Sequence, residues 1–210
     1  MTYHHDSLIV KQLPVGELQA NCYLVYEETS KKAIIIDPGD EGDFISEEVI
    51  RLGLQPQAII LTHGHFDHVM GLLEVKLNFN IPILIHEADK FLLESLQSRA
   101  QHWLKRKVDP APPANSYLTD NQILLPQSLI LNCLYTPGHT PGSICLYNKE
   151  IIFTGDTLFK DAIGRTDFSY SSGQEMQKSL QKIFKLNHNL VVYPGHGERT
   201  SIKIESTRWK

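Results

Sequence analysis

The stretch Thr62-His63-Gly64-His65-Phe66-Asp67-His68 places three histidines and one aspartate within seven residues, directly after the apolar run Ala58-Ile59-Ile60-Leu61. Imidazoles crowded onto one short loop each need a hydrogen-bond partner, and any that protonate repel the others. A bound cation removes that conflict, because neutral imidazole nitrogen and carboxylate oxygen are its natural ligands. The loop therefore reads as a metal site rather than as a set of surface histidines.

Three more segments share its pattern of apolar strand, tight turn containing Gly, and potential ligand. They are Leu134-Tyr135-Thr136-Pro137-Gly138-His139, Ile152-Phe153-Thr154-Gly155-Asp156 and Val192-Tyr193-Pro194-Gly195-His196. A strand end is a good mount for a ligand, since the sheet fixes the backbone and the turn aims the side chain. Taken singly, His139 and His196 could be structural histidines and Asp156 a turn residue. Together with the His loop they supply donors enough for two metal ions. His86 follows Leu84-Ile85 without such a turn and reads as a helix-start or packing histidine. His102 and His188 sit in polar surroundings and read as exposed; Tyr170 and Trp103 read first as core or surface packing, with a place in a substrate cleft as the alternative.

The elements that must hold these ligands show as alternating apolar runs and turn signals. Strands are expected at Leu8-Ile9-Val10, Asn21 to Tyr26, Ala33 to Ile36 and Ala58 to Leu61. Further strands are expected at Ile83 to Ile85, Leu129 to Leu131, Ile144 to Tyr147, Ile151 to Phe153 and Leu190 to Tyr193. Helices are expected around Phe44, Ile45, Val49, Ile50 and Leu52, and from near Asp67 through Val69, Leu72, Leu73 and Leu77. A long one should run from Ala88 to about Lys107 with Phe91, Leu92, Leu96 and Trp103 inward. Asp109-Pro110-Ala111-Pro112-Pro113 must end it, and is the best candidate for a linker or a mobile covering segment. Ser172 to Glu175 resembles a capping box that opens a helix with Met176, Leu180, Ile183 and Phe184 on one side. Strand-rich blocks interleaved with helices predict an α/β sandwich with sheets inside and helices outside.

Composition narrows the function classes. The 210 residues are 41% hydrophobic and 21% charged, which suits a globular enzyme with a substantial core. A net charge of −4, with no basic run longer than Lys105-Arg106-Lys107, gives no sign of a nucleic-acid partner. That run reads as the solvated face of a helix. The three cysteines, Cys22, Cys133 and Cys145, lie far apart in apolar runs, so they imply no disulfide framework and suit a reducing cytoplasm. Met1 to Asp6 carries no positive region followed by an apolar one, and His4 and His5 read as a frayed polar start. No apolar stretch approaches the ~20 residues that span a bilayer.

The order Thr-His-x-His-x-Asp-His, a separate His, an Asp after a strand and a final Gly-His resembles the metallo-β-lactamase superfamily over nearly the whole chain. Within it, the chain is similar to short glyoxalase II-like hydrolases. That likeness is carried by Asn21-Cys22-Tyr23-Leu24-Val25, Asp37-Pro38-Gly39, Thr136 to Ser143, Phe153 to Phe159 and Gly164-Arg165-Thr166-Asp167-Phe168. The resemblance implies an αββα sandwich, residues 1–210 as a single domain without a C-terminal helical glutathione-binding domain, and metals at one edge between the sheets. It implies that His63, His65 and His139 hold one divalent metal, that Asp67, His68 and His196 hold a second, and that Asp156 bridges them. Zinc is the expected metal, with iron or manganese as alternatives. The implied reaction is hydrolysis of thioesters such as S-D-lactoylglutathione by a metal-held hydroxide, with Asp67 orienting or deprotonating the water.

Arg165 falls where those relatives place a Lys that contacts glutathione; an ion pair with Asp167 would be its alternative role. Asp167 and Glu198 stand where they have Tyr. The rival within the fold is persulfide dioxygenase, which also carries Gly-Arg-Thr-Asp-Phe and would use one iron on His63, His139 and Asp156. A secreted β-lactamase should carry an export signal, diiron flavoprotein relatives have Glu at the position of His65, and nuclease relatives add long insertions.

Overall fold

Strand residues alternate between two apolar environments. Cys22, Leu24, Tyr26, Ala33 and Ile35 pack into one cluster, while the intervening Tyr23, Val25, Ile34 and Ile36 pack into another. Side chains along a strand point to opposite faces, so these strands belong to a sheet covered on both sides. The computed structural model describes residues 1–5, 8–121, 123–124 and 130–209. Asp6 and Leu129 lie outside the described residues.

The N-terminal half contains β1 (Thr2–His4), β2 (Leu8–Val15), β3 (Ala20–Glu27), β4 (Lys32–Ile36), β5 (Gln55–Ile60), β6 (Ile83–His86) and β7 (Ser116–Leu118), joined in that order as a seven-stranded sheet. Its helices are α1 (Gly42–Arg51), α2 (Leu72–Phe79), α3 (Lys90–Glu94) and α4 (Leu96–Leu104). The C-terminal half contains β8 (Ile123–Leu124), β9 (Leu131–Tyr135), β10 (Ile144–Tyr147), β11 (Ile151–Gly155), β12 (Leu158–Phe159), β13 (Ala162–Ile163), α5 (Gly173–Phe184), β14 (Val191–Pro194), β15 (Thr200–Ser201) and α6 (Ile202–Glu205). Its six-stranded sheet has the order β15-β14-β11-β10-β9-β8, and β12 pairs with β13 beside it.

The apolar clusters define four layers. Ile45, Val49, Leu72, Val75, Leu96 and Ala100 of the first helices pack on the outer face of the first sheet. Tyr23, Val25 and Ile36 of that sheet meet Cys133, Ile144, Leu146 and Phe153 of the second. Cys145, Ile152 and Val192 on the far face of the second sheet meet Met176, Leu180, Ile183 and Ile202 of α5 and α6. The architecture is an αββα sandwich of the expected α/β class. Ser172 caps α5, its hydroxyl accepting the Glu175 N–H at 3.2 Å, but the reciprocal half of the expected box is not made: Ser172 N–H goes to Gly138 O and the Glu175 carboxylate to Lys178.

Several local expectations are corrected. Thr2–His4 is not frayed: it pairs with β2, and the His5 ring meets the Tyr193 hydroxyl at 2.7 Å. Phe44 and Ile50 face solvent, because only Ile45 and Val49 keep the i, i+4 stripe of α1 on the sheet. The second helix starts at Leu72, not near Asp67. Met70 and Gly71 N–H groups are drawn instead to the Gly39 and Pro38 carbonyls, at 2.9 and 3.0 Å. The helix expected from Ala88 to Lys107 is broken at Ser95, and Phe91 and Trp103 are exposed rather than inward. Arg106 lies beyond α4 and forks onto the buried Asp40 carboxylate at 2.5 and 3.1 Å, so it is no free helix face. The proline-rich segment is not loose either, since Val108, Ala111 and Ala114 pack on the first core cluster. Among the described residues no helix is long and apolar enough to cross a membrane.

Candidate metal centre

Strand direction brings the ligand segments to one edge. β4 and β5 run parallel, with Ile36 opposite Ile60, so Asp37 and Thr62 leave their strands side by side. β11 and β14 are also parallel, and β9 shares their sense across the antiparallel β10. Their C-terminal ends therefore present His139, Asp156 and His196 on the same side. The sheets are stitched together there, where Ile144 N–H donates to Thr62 O at 2.9 Å and Asn21 N–H donates to Gly195 O at 2.7 Å.

All seven predicted residues converge. His63, His65 and His139 form one group, and Asp67, His68 and His196 form another; within each, donor atoms lie within 4.8 Å of one another. Asp156 stands between them, with Oδ2 3.4 Å from His139 Nε2 and Oδ1 3.4 Å from His68 Nε2. Close approach here depends on glycine. A Cβ at Gly195 would sit 2.1 Å from Asp156 Oδ1, and Gly155 adopts φ +47°, where a Cβ would meet Thr62 Oγ1 at 2.4 Å.

The outer nitrogen of each imidazole has its own partner, which fixes the ring and turns the inner nitrogen to the centre. His139 Nδ1 meets the Arg165 carbonyl at 2.9 Å, and His196 Nδ1 meets the Leu18 carbonyl at 3.0 Å. His65 Nε2 meets the Tyr170 hydroxyl at 2.9 Å. His68 Nδ1 meets Asp37 Oδ2 at 3.1 Å, and His63 Nδ1 meets Thr62 Oγ1 at 3.1 Å. Carbonyl and carboxylate partners require an N–H on the outer nitrogen of His139, His196 and His68, which frees the lone pairs of their inner nitrogens for a cation; the hydroxyl partners of His63 and His65 can give or take.

Those lone pairs are what a cation needs. His139 Nε2 and His65 Nδ1 lie 2.9 Å apart, and His68 Nε2 and His196 Nε2 lie 3.2 Å apart. The buried His63 Nε2 and Asp156 Oδ1 have no hydrogen-bond partner among the described residues. Burial, reinforced by His139 alongside, pushes His65 down to about 3, and burial takes His63 well below the ordinary histidine range. Against the same burial, the carboxylates of Asp156 and Asp67 hold His68 and His196 above the ordinary histidine range, so the neutral pair His63 and His65 and the acids Asp156 and Asp67 together offer the donor set of a divalent metal ion.

Two acids that sequence reasoning did not single out as functional hold this arrangement. Asp37, in the left-handed region at φ 49°, accepts Thr62 N–H at 2.7 Å, Thr62 Oγ1–H at 2.5 Å and the His68 contact. It also groups geometrically with His63 and His68, but its oxygens are already engaged. Its only signal was the Asp-Pro-Gly turn. Asp89 accepts Gly64 N–H at 2.8 Å, Gly142 N–H at 2.6 Å and Thr140 Oγ1–H at 2.7 Å, tying the His loop to the His139 loop. No motif marked it. His86 does what its position suggested: Nδ1 accepts the Ala88 N–H, and the ring stacks on Tyr135 at 4.4 Å.

A cavity of about 270 Å³ opens beside the cluster, lined by Leu18, Phe66, Asp67, Arg99, Trp103, Arg165, Phe168 and Tyr170 among others. Tyr170 and Trp103 thus wall the site instead of only packing. Arg165 borders the cavity, but its guanidinium is forked onto Asp167 at 2.6 and 2.8 Å and lies 4.4 Å from the Phe168 ring centre. Glu198 points away and pairs with Lys160. The three cysteines are buried, and burial pushes Cys133 and Cys145 up to about 12, which leaves them inert as nucleophiles.

A four-layer sandwich with a His/Asp cluster at the edge between its sheets defines a metallo-hydrolase. Residues 15–196 match the metallo-beta-lactamase superfamily, and the chain belongs to it. It is similar to hydroxyacylglutathione hydrolase GloC of Haemophilus influenzae, at 36% identity over 93% of this chain and 94% of that protein. The solved structure of the BLEG-1 B3 metallo-beta-lactamase matches with TM-score 0.88 and 34% identity, covering 94% of this chain and 96% of that one. TTHA1623, solved in a di-iron-bound form, matches with TM-score 0.86 and 32% identity, covering 94% and 97%.

Proposed function

We propose that this chain is a dinuclear metal-dependent hydrolase of thioesters, of the kind represented by S-D-lactoylglutathione, acting in the cytoplasm with residues 1–210 as one catalytic unit. The observation that carries it is the position of Asp156, whose carboxylate lies between the two groups of three donors, Oδ2 near His139, His63 and His196 and Oδ1 near His68. His63, His65 and His139 would hold one divalent ion and Asp67, His68 and His196 the other, with Asp156 shared. Zinc is the metal proposed; the di-iron relative keeps iron in view, and manganese suits the same donors. When bound, such ions supply Lewis acidity toward a carbonyl and bring the pKa of water from about 15.7 to about 7.

The chain's own residues supply the rest. Asp67 reaches the cavity and meets His196 Nε2 at 3.3 Å, so its carboxylate can orient the attacking water and take its proton. Leu18, Phe66, Trp103 and Phe168 line the cavity with apolar surface, which excludes water around the acyl group. Arg165 is placed to touch a substrate at the rim while remaining paired to Asp167. A thiolate leaves without a strong acid behind it, because thiols ionise near pH 8.5, about where a weakly activated leaving group departs unaided.

The test is a thioester and ester panel against metal-loaded protein, with metals counted by elemental analysis. Two metals per chain and thioester turnover are expected. One iron per chain with oxygen uptake on glutathione persulfide would replace this reading with the dioxygenase one on His63, His139 and Asp156. The second group at Asp67, His68 and His196 favours the hydrolase.

A further inference from the structure

We infer that Arg99, on α4, is the residue that selects carboxylate-bearing substrates at this site; the inference rests on the hydrolase reading of the adjoining cluster. Arg99 lines the cavity beside the metal centre and also a larger neighbouring one of about 650 Å³, together with Trp103, Phe168 and Tyr170. Its Nε donates to Ser95 Oγ at 2.7 Å and its Nη1 to the Tyr170 hydroxyl at 3.1 Å. It forms no ion pair with any described residue, and its Nη2 has no described acceptor. Arg165, the other cation on this wall, is already forked onto Asp167.

Tyr170 strengthens the case. Its oxygen receives Arg99 Nη1–H and faces His65 Nε2 at 2.9 Å; with Nδ1 given to a metal, His65 would carry its hydrogen on Nε2 and donate it to that oxygen. Both neighbours donate, so the phenol's own hydrogen is left for a third group. The shared rim therefore offers the Arg99 Nη2 donors and the Tyr170 O–H with no acceptor between them, flanked by the Trp103 and Phe168 rings. Only an acceptor satisfies both, and a carboxylate also balances the charge. The carboxylate can belong to the acyl group or to the thiol carrier.

The test uses metal-loaded enzyme and two matched substrate pairs. Succinyl and butyryl thioesters of N-acetylcysteamine differ in an acyl-side carboxylate; S-lactoylglutathione and its dimethyl ester differ on the carrier side. Wild type should prefer the carboxylate member of at least one pair, chiefly through KM, and that pair identifies the source. R99Q should lower this preference about 10- to 100-fold, and R99K should restore part of it. No preference in wild type, a preference untouched by R99Q, or an equal loss on both members would overturn the assignment. If no thioester is turned over, the hydrolase reading has failed on its own. Calorimetric titration with S-hexylglutathione and its dimethyl ester then decides the anion site by whether R99Q weakens the charged probe alone.

Discussion

Replacing Asp37 by Asn keeps its volume and removes one acceptor from the point where two ligands are aimed. Asp37 Oδ1 accepts Thr62 N–H, while Oδ2 accepts Thr62 Oγ1–H and faces His68 Nδ1. Asn can keep its oxygen on the first of these, but its NH₂ then points at two donors. Thr62 Oγ1 would turn away, and His63 Nδ1, which leans on it at 3.1 Å, would lose its support as well. His68 loses its partner directly and His63 at one remove, so the ion proposed at Asp67, His68 and His196 should weaken more. Loss of an outer-shell partner costs about 10- to 100-fold in metal affinity, or about 1.4–2.8 kcal/mol. The assay is metal content per chain after dialysis against graded chelator, with apo-protein melting as a check that the fold survives. One metal should be retained at chelator levels that strip the other. Equal loss of both metals, or none, would refute the idea that Asp37 acts through His68.

Asp156→Ala and His65→Ala should each abolish turnover and lower metal content; an unchanged metal stoichiometry in Asp156→Ala contradicts its bridging position. Asp89→Ala leaves Gly64 N–H, Gly142 N–H and Thr140 Oγ1–H without their buried acceptor, and should cost about 3 kcal/mol or more in urea unfolding of apo-protein. A shift below about 1 kcal/mol would show that those donors find other partners. Arg51 and Lys11 hold Glu48 down to about 2 from its ordinary 4.5. A carboxyl whose pKa falls on folding stabilises the fold above its unfolded value. That contribution is lost as pH drops from about 4.5 toward about 2. Glu48→Gln should therefore flatten this part of the acid-unfolding curve, and an unaltered slope would count against it.

Much of this molecule was legible because strands and ligand turns obey short-range rules. Alternation along Asn21 to Tyr26 and Ala33 to Ile36, and the repeated sequence of strand, Gly turn and His or Asp, are local patterns, and the structure brings those ligand turns together. What stayed hidden depends on neighbours distant in sequence. Asp89 carries no local signal, because its partners Thr140 and Gly142 lie 51 and 53 residues on. Trp103 and Phe91 have the spacing of core residues, yet they lie on separate helices either side of Ser95, are exposed and line the larger cavity. Arg106 sat in a basic run whose buried partner, Asp40, is 66 residues away.

The break at Ser95 separates two tasks that a single rigid element would have fused. The candidate ligand side chains hang from sheet termini that cannot shift without disturbing the interior. The opposite wall is α4, nine residues that rest one face on the first core cluster through Leu96 and Ala100 and leave the other open to water, with the Arg106–Asp40 clamp just beyond. Exchanges along that helix can therefore retune which molecules are admitted while the inorganic cradle stays as it was, so diversification of substrate taste should concentrate there.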